Sequence, residues 1–157
     1  MILGLGVDVC DIGRIRRALE GATGARFRDR VFTPAEQAYC EARRRGRFAS
    51  YAARFAAKEA AMKALGTGWG QGVAWRDFEV VRRTGGPPEI RLHGVAATLA
   101  RRRGMARWLL AMSHVADGAI ASVVVEDGAA LRRASAGRGR RRGAGAGSRR
   151  PRPRGRR

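Results

Sequence analysis

A run of alanines interrupted by four charges constrains this chain more than any other stretch: FASYAARFAAKEAAMKALGTG, from Phe48 to Gly68. Alanine is the strongest helix former and Gly66 and Gly68 supply a stop, so the pattern predicts one long helix ending near Leu65. At about 100° per residue, Tyr51, Phe55, Met62 and Leu65 make one apolar stripe with Lys58 in its middle. Arg54 flanks the stripe on one side, while Glu59 and Lys63, four apart, share the other. The remaining faces are alanine, so the helix is apolar nearly all round and belongs inside the protein. Its charges then need partners, because an unpaired buried charge is costly.

Two readings of those charges follow. In the first, Glu59 and Lys63 form an i,i+4 pair worth roughly 0.2–0.5 kcal/mol, and Arg54 and Lys58 carry their heads out to water on apolar stems. In the second, three cations and one carboxylate line a site for a phosphate-bearing ligand and its metal. The lysines lean toward the second: every other basic residue of the chain is arginine, so a compact ammonium is reserved for these two positions.

The net charge of +20 is unevenly spread. From Ala129 on there are twelve arginines, no acid and almost no apolar residue larger than alanine, ending in GRGRRRGAGAGSRRPRPRGRR. Such a segment cannot bury enough surface to offset chain entropy, so residues 129–157 are expected to form a disordered tail behind one domain, residues 1–128. Without the tail's arginines the domain is still near +8 (20 − 12), which points to an acidic partner: nucleic acid, a membrane surface or an acidic protein. Cys10 and Cys40 are too few and too far apart for a disulfide framework or a zinc site and suit a reducing cytosol. No apolar run is long enough to span a membrane and no leader pattern opens the chain, so a soluble cytoplasmic protein is expected.

Read in order, Ile2 to Val9 is a buried strand in which Gly4 and Gly6 admit close approach of backbone or ligand. Asp8 stands near its end, either as a helix cap, a role Asp11 fills equally well, or as a functional carboxylate. DIGRIRRAL, Asp11 to Leu19, fits a helix with Ile12, Ile15 and Leu19 inward. Thr33-Pro34-Ala35-Glu36 is a capping box opening a second helix that runs into Arg43–Gly46. Val73 to Arg83 and Glu89 to His93 form a hairpin about Gly85-Gly86-Pro87-Pro88, followed by a short helix from Val95 to Arg103. Arg107 to His114 alternates and Ala119 to Glu126 is valine-rich, giving two last strands, with Ser113-His114 closing the first. The sum is an α+β domain with a small, mostly antiparallel sheet packed on helices.

No nucleophile elbow, Walker loop or zinc signature is present. Two carboxylates from separate elements can hold one Mg²⁺ and leave the rest of its coordination to phosphate oxygens and water, with cations beside it. That suits phosphoryl-group transfer without a protein nucleophile.

The blocks ILGLGVDVCDIGRI, RVFTPAEQAY, ARFAAKEAAMKALGTG and MSHVADGAIASVVVE, in that order from Ile2 to Glu126, resemble the holo-acyl-carrier-protein synthase family of 4′-phosphopantetheinyl transferases. The resemblance implies that Asp8 and Glu59 are Mg²⁺ ligands and that Lys63 contacts the phosphates and stabilises charge on the transferring group. It implies that Arg54, Lys58, Ser113 and His114 line the coenzyme A site, with Gly66, Thr67 and Gly68 and the turn Gly86 to Pro88 near the nucleotide. Glu59, Lys63 and His114 are the catalytic candidates; the general base stays open. The implied reaction is attack by a serine of apo-acyl carrier protein on the β-phosphate of coenzyme A, releasing adenosine 3′,5′-bisphosphate. The nucleophile then belongs to the partner, a small acidic protein. Arg14 matches the family's docking arginine, and Arg17, Arg26, Arg28 and the Arg43 to Arg47 cluster are auxiliaries by charge alone. The family also implies a homotrimer with active sites between subunits. The alternative is a basic nucleic-acid-binding protein acting through its arginine-rich tail.

Overall fold

Two glycines decide how the long helix lies on the sheet. The computed structural model describes residues 1–82 and 85–129; the expected tail, apart from Ala129, falls outside the described residues. Strand β1 (Ile2–Asp11) runs against helix α4 (Arg47–Leu65). A Cβ at Gly4 would sit 2.2 Å from the Ala64 carbonyl oxygen, and one at Gly6 only 1.9 Å from that of Ala60. Helix backbone therefore touches strand backbone, and any side chain at either glycine would force the layers apart. Alanine on the helix and glycine on the strand answer each other, which is why α4 is alanine-rich along this face.

The sheet has the order β1-β5-β4, antiparallel throughout, with β5 (Gly118–Asp127) between β1 and β4 (Met105–His114). Its register places Asp8, Ala121 and Met112 in one row across the three strands. The inner face of β5, Ala119, Ala121, Val123 and Val125, is buried under α4. The outer face is not: Leu5, Val7, Val9, Leu109 and Ile120 are exposed, Val9 to 68%. The expectation of a fully buried first strand is thus corrected. Only its glycine face is covered, and the alternate residues form an open apolar surface.

Around α4 lie α1 (Ile12–Glu20), α2 (Gly24–Val31), α3 (Pro34–Glu41) and α5 (Gly94–Arg102). Asp11 caps α1 by accepting from the Arg14 backbone N–H, and the Thr33–Glu36 box opens α3 in both directions. Helix α2 has no counterpart in the sequence reading, since GARFRDRV offers only Phe27 and Val31 as an i,i+4 apolar pair among four charges. The helix from Thr33 ends at Glu41, and a short 3₁₀ turn, Arg44–Gly46, leads into α4. The hairpin is present as β2 (Phe78–Arg82) and β3 (Pro88–Leu92), but β2 is shorter than the expected Val73–Arg83. Trp75–Asp77 forms a 3₁₀ turn instead, and Arg83 lies outside the described residues. The architecture is the α+β one expected. No helix among the described residues is long and apolar enough to cross a membrane.

Candidate functional site

The sheet register turns Asp8 toward α4, where the helix presents Glu59 and Lys63. Lys63 Nζ donates to Asp8 Oδ1 at 2.8 Å and to the Val7 carbonyl at 3.0 Å. The helix-internal Glu59–Lys63 pair of the first reading is thus not what the lysine chooses; it reaches across to the strand. Glu59 is held above the usual carboxylate range, first by burial and then by the Asp8 charge, with Lys63 and Arg14 acting in the opposite sense. Hydrogen bonding to Asp8 raises the Lys63 ammonium, so it stays charged. Asp8 is therefore close enough for its charge to oppose the ionisation of Glu59. Gly66, Thr67 and Gly68 follow Lys63 directly at the helix end, with Gly66 in the left-handed conformation (φ 76°) donating back to Met62 and Lys63.

Lys58 is a correction. Neither snorkelling nor lining a ligand site, it is 0% exposed. Its Nζ pairs with Glu36 Oε2 at 2.8 Å and donates to the carbonyls of Trp75 (3.2 Å) and Phe78, which uses all three ammonium donors. Burial lowers its pKa while Glu36 pulls the other way. Glu36 is saturated too, accepting from the backbone N–H groups of Thr33 (2.8 Å) and Val80 (2.9 Å). No valence is left for coenzyme A. Sequence reading missed Glu36 because the capping box explains it fully; nothing in local pattern shows that the same carboxylate also reaches Lys58.

The other proposed ligand contacts gather at the opposite edge of the sheet, on β4. A cavity of about 150 Å³ is lined by Tyr39, Arg43, Ser50, Ala53, Arg54, Arg82, Met112, Ser113 and His114. Arg54 is 4% exposed; its Nη1 donates to the Ser50 carbonyl at 3.3 Å, and its Nε is buried without a hydrogen-bond partner among the described residues. Arg82 Nε donates to the Gly86 carbonyl at 3.1 Å and Arg82 pairs in register with Pro88, so the hairpin tip joins this group. Tyr39 and Arg82 were not singled out by sequence, and Arg43 was named only within an arginine cluster read as an auxiliary for docking the carrier; the i,i+4 spacing of Tyr39 and Arg43 was the one available signal for this cavity.

The expected site residues thus fall into two sets. Asp8, Glu59, Lys63 and Gly66–Gly68 lie on the β1 side, and Arg54, Ser113, His114, Gly86 and Pro88 on the β4 side. Of the docking arginines, Arg14 is exposed and within electrostatic reach of Glu59; Arg17 lies 3.9 Å from Asp11 and is largely exposed, as is Arg26. Arg28 differs, lining a groove with Glu20, Glu41 and Tyr51 and sitting 3.5 Å from Asp29. Cys10 and Cys40 are buried free thiols, pushed up by burial to about 11 and about 12 respectively, so neither is a nucleophile.

Residues 4–124 match the model of the 4′-phosphopantetheinyl transferase superfamily. A holo-[acyl-carrier-protein] synthase of Anaeromyxobacter dehalogenans is 55% identical over 128 residues, covering 80% of this chain and 97% of that one. The crystal structure of a holo-[acyl-carrier-protein] synthase from Neisseria meningitidis superposes with a TM-score of 0.73 at 33% identity, over 81% of this chain and all of that one. A Helicobacter pylori synthase solved in complex with coenzyme A gives 0.68 at 29% identity, over 78% and 99%.

Proposed function

The chain belongs to the 4′-phosphopantetheinyl transferase superfamily as a holo-[acyl-carrier-protein] synthase, and from that premise we propose that Asp8, Glu59 and Lys63 form the centre at which it moves phosphopantetheine from coenzyme A to a carrier-protein serine. The observation that carries this reading is the convergence of two mutually repelling carboxylates and a charged lysine from different elements. Such a set fits magnesium. Oxygen donors suit a hard cation, the ion would relieve the repulsion, and a pair of carboxylates leaves most positions for phosphate and water. When bound, magnesium supplies neutralisation of pyrophosphate charge.

The remaining work belongs to the chain's own groups. Lys63 has two of its three donors engaged among the described residues, which leaves one for a phosphate oxygen on which charge builds as the bond to adenosine bisphosphate breaks. Arg54, Ser113 and His114 would hold a further phosphate of the donor. The serine hydroxyl comes with the carrier protein, whose acidic surface the exposed Arg14 faces beside Glu59.

The two sets of residues lie on opposite edges of one sheet, and its outer face is apolar and open. A homotrimer, packed through that face with the β1 edge of one subunit beside the β4 edge of the next, would unite them. A reaction mixture of coenzyme A, magnesium and apo-carrier protein tests the function: mass spectrometry is expected to find phosphopantetheine on the carrier serine. Arg14→Glu is expected to raise KM for the carrier about tenfold or more, with KM for coenzyme A little changed. Equal loss on both would mean that Arg14 holds the fold rather than the partner.

A further inference from the structure

We propose that Tyr39 is a positioning residue that gathers three guanidiniums, Arg43, Arg54 and Arg82, into a receptor for the phosphomonoester of the donor. The proposal rests on the preceding assignment of Arg54, Ser113 and His114 to coenzyme A. The Arg54 guanidinium lies 4.0 Å and that of Arg43 4.8 Å from the Tyr39 ring centroid, both within cation–π range. The phenol oxygen accepts from Arg43 Nη2, and Arg82 lines the same cavity beside it. Burial alone would raise this phenol, yet the hydrogen bonds from Arg82 and Arg43 and the charges of Arg43 and Arg54 outweigh it and lower its pKa.

Three like charges around one ring are unfavourable unless something answers them. Among the described residues, no carboxylate lines the cavity they share with Ser113 and His114. Arg54 is almost wholly buried, and its Nε has no hydrogen-bond partner among the described residues, a costly state for a guanidinium and the mark of a place built for an anion. A carboxylate in Tyr39's position would gather the same arginines but cancel their charge. A phenol with a π face orders them and leaves the positive potential for the ligand. The phosphomonoester is the better match than the pyrophosphate. The pyrophosphate already has its partners at Asp8, Glu59 and Lys63, and a monoester dianion concentrates charge on three terminal oxygens that forked guanidinium donors can meet. About 150 Å³ admits a phosphate and a few waters.

The test compares coenzyme A with 3′-dephospho-coenzyme A as donor for the full-length wild type, Tyr39→Leu and Tyr39→Phe, at saturating carrier protein. Losing the ring and phenol is expected to raise KM for coenzyme A about tenfold, the equivalent of one good cation–π contact. Both kcat and the KM for the dephospho donor should hold within about twofold, because Tyr39 acts through the arginines on that one phosphate. Tyr39→Phe keeps the ring, is expected to lie between, and serves alone should Tyr39→Leu fold poorly. Equal increases on both donors, or none on either, would overturn the positioning role. A wild type indifferent to the 3′-phosphate would overturn the phosphomonoester assignment and leave the transfer reading standing. A wild type inert with either donor would instead remove the reading beneath it.

Discussion

Helix α4 carries two lysines five residues apart, and the fold uses them in opposite ways. Lys58 is sealed in the core against Glu36 with every donor spoken for; Lys63, its side chain 52% exposed, spans from helix to strand and has one donor unengaged among the described residues. The Lys58 region joins α3, α4 and β2 through Glu36, and Glu79 extends it with Thr33 Oγ1 (3.0 Å) and His93 Nε2 (2.9 Å). The Lys63 region leaves two carboxylates near each other without full compensation. Satisfied polar groups rigidify; unsatisfied ones are available for a ligand. Identical chemistry on one helix thus divides into scaffold and site according to what surrounds it.

Substitutions can break that contrast. The largest stability effect is expected from Lys58→Ala, which strands Glu36 in the core and should cost about 3–5 kcal/mol in urea unfolding. Adding Glu36→Leu to Lys58→Met should recover only part of this loss, because the Thr33 and Val80 N–H groups still lose their acceptor. Full recovery would mean that the pair holds nothing but itself.

Lys63→Ala should do the reverse. Its half-exposed pair with Asp8 contributes at most about 1 kcal/mol to folding, while transferase kcat should fall about 100-fold or more for loss of a donor to the transition state. If the unfolding midpoint dropped as far as for Lys58→Ala, the division between the two lysines would be false.

The smallest effect sharpens the comparison through pH. Glu59 has a folded-state pKa raised above 4.5, so its protonated form favours the fold below that value, and this stability is lost as pH rises through the folded pKa. Glu59→Gln, without added metal, should therefore match the wild type near pH 4 and become the more stable of the two toward neutrality. Thermal midpoints across that range would show it. A variant less stable at pH 7 would argue for a structural rather than a ligand-binding carboxylate.

Much of this was open to inspection in the chain itself. The capping box at Thr33, the Gly66 stop, the hairpin about Gly86 and the alternation of β4 are local signals, because each depends on neighbours within about four residues. Asp8, Glu59 and Lys63 could be named as a group because their motifs match a family. Lys58 could not be separated from them: on a helical wheel it is another cation among apolar residues, and its partner lies 22 positions away. Arg82 was invisible for the same reason, and Tyr39 showed only its spacing to Arg43, their meaning arising from elements that meet only after folding.

Alanine and glycine spacing, set by bond geometry and local entropy, determined by itself that a long apolar helix would form and that the first strand would admit close approach of backbone or ligand; that the two would meet was settled by the fold. Which of that helix's charges would be consumed and which left free was decided by tertiary structure alone. A charge's free energy depends on the dielectric and the partners that distant segments bring to it, and no local pattern records them.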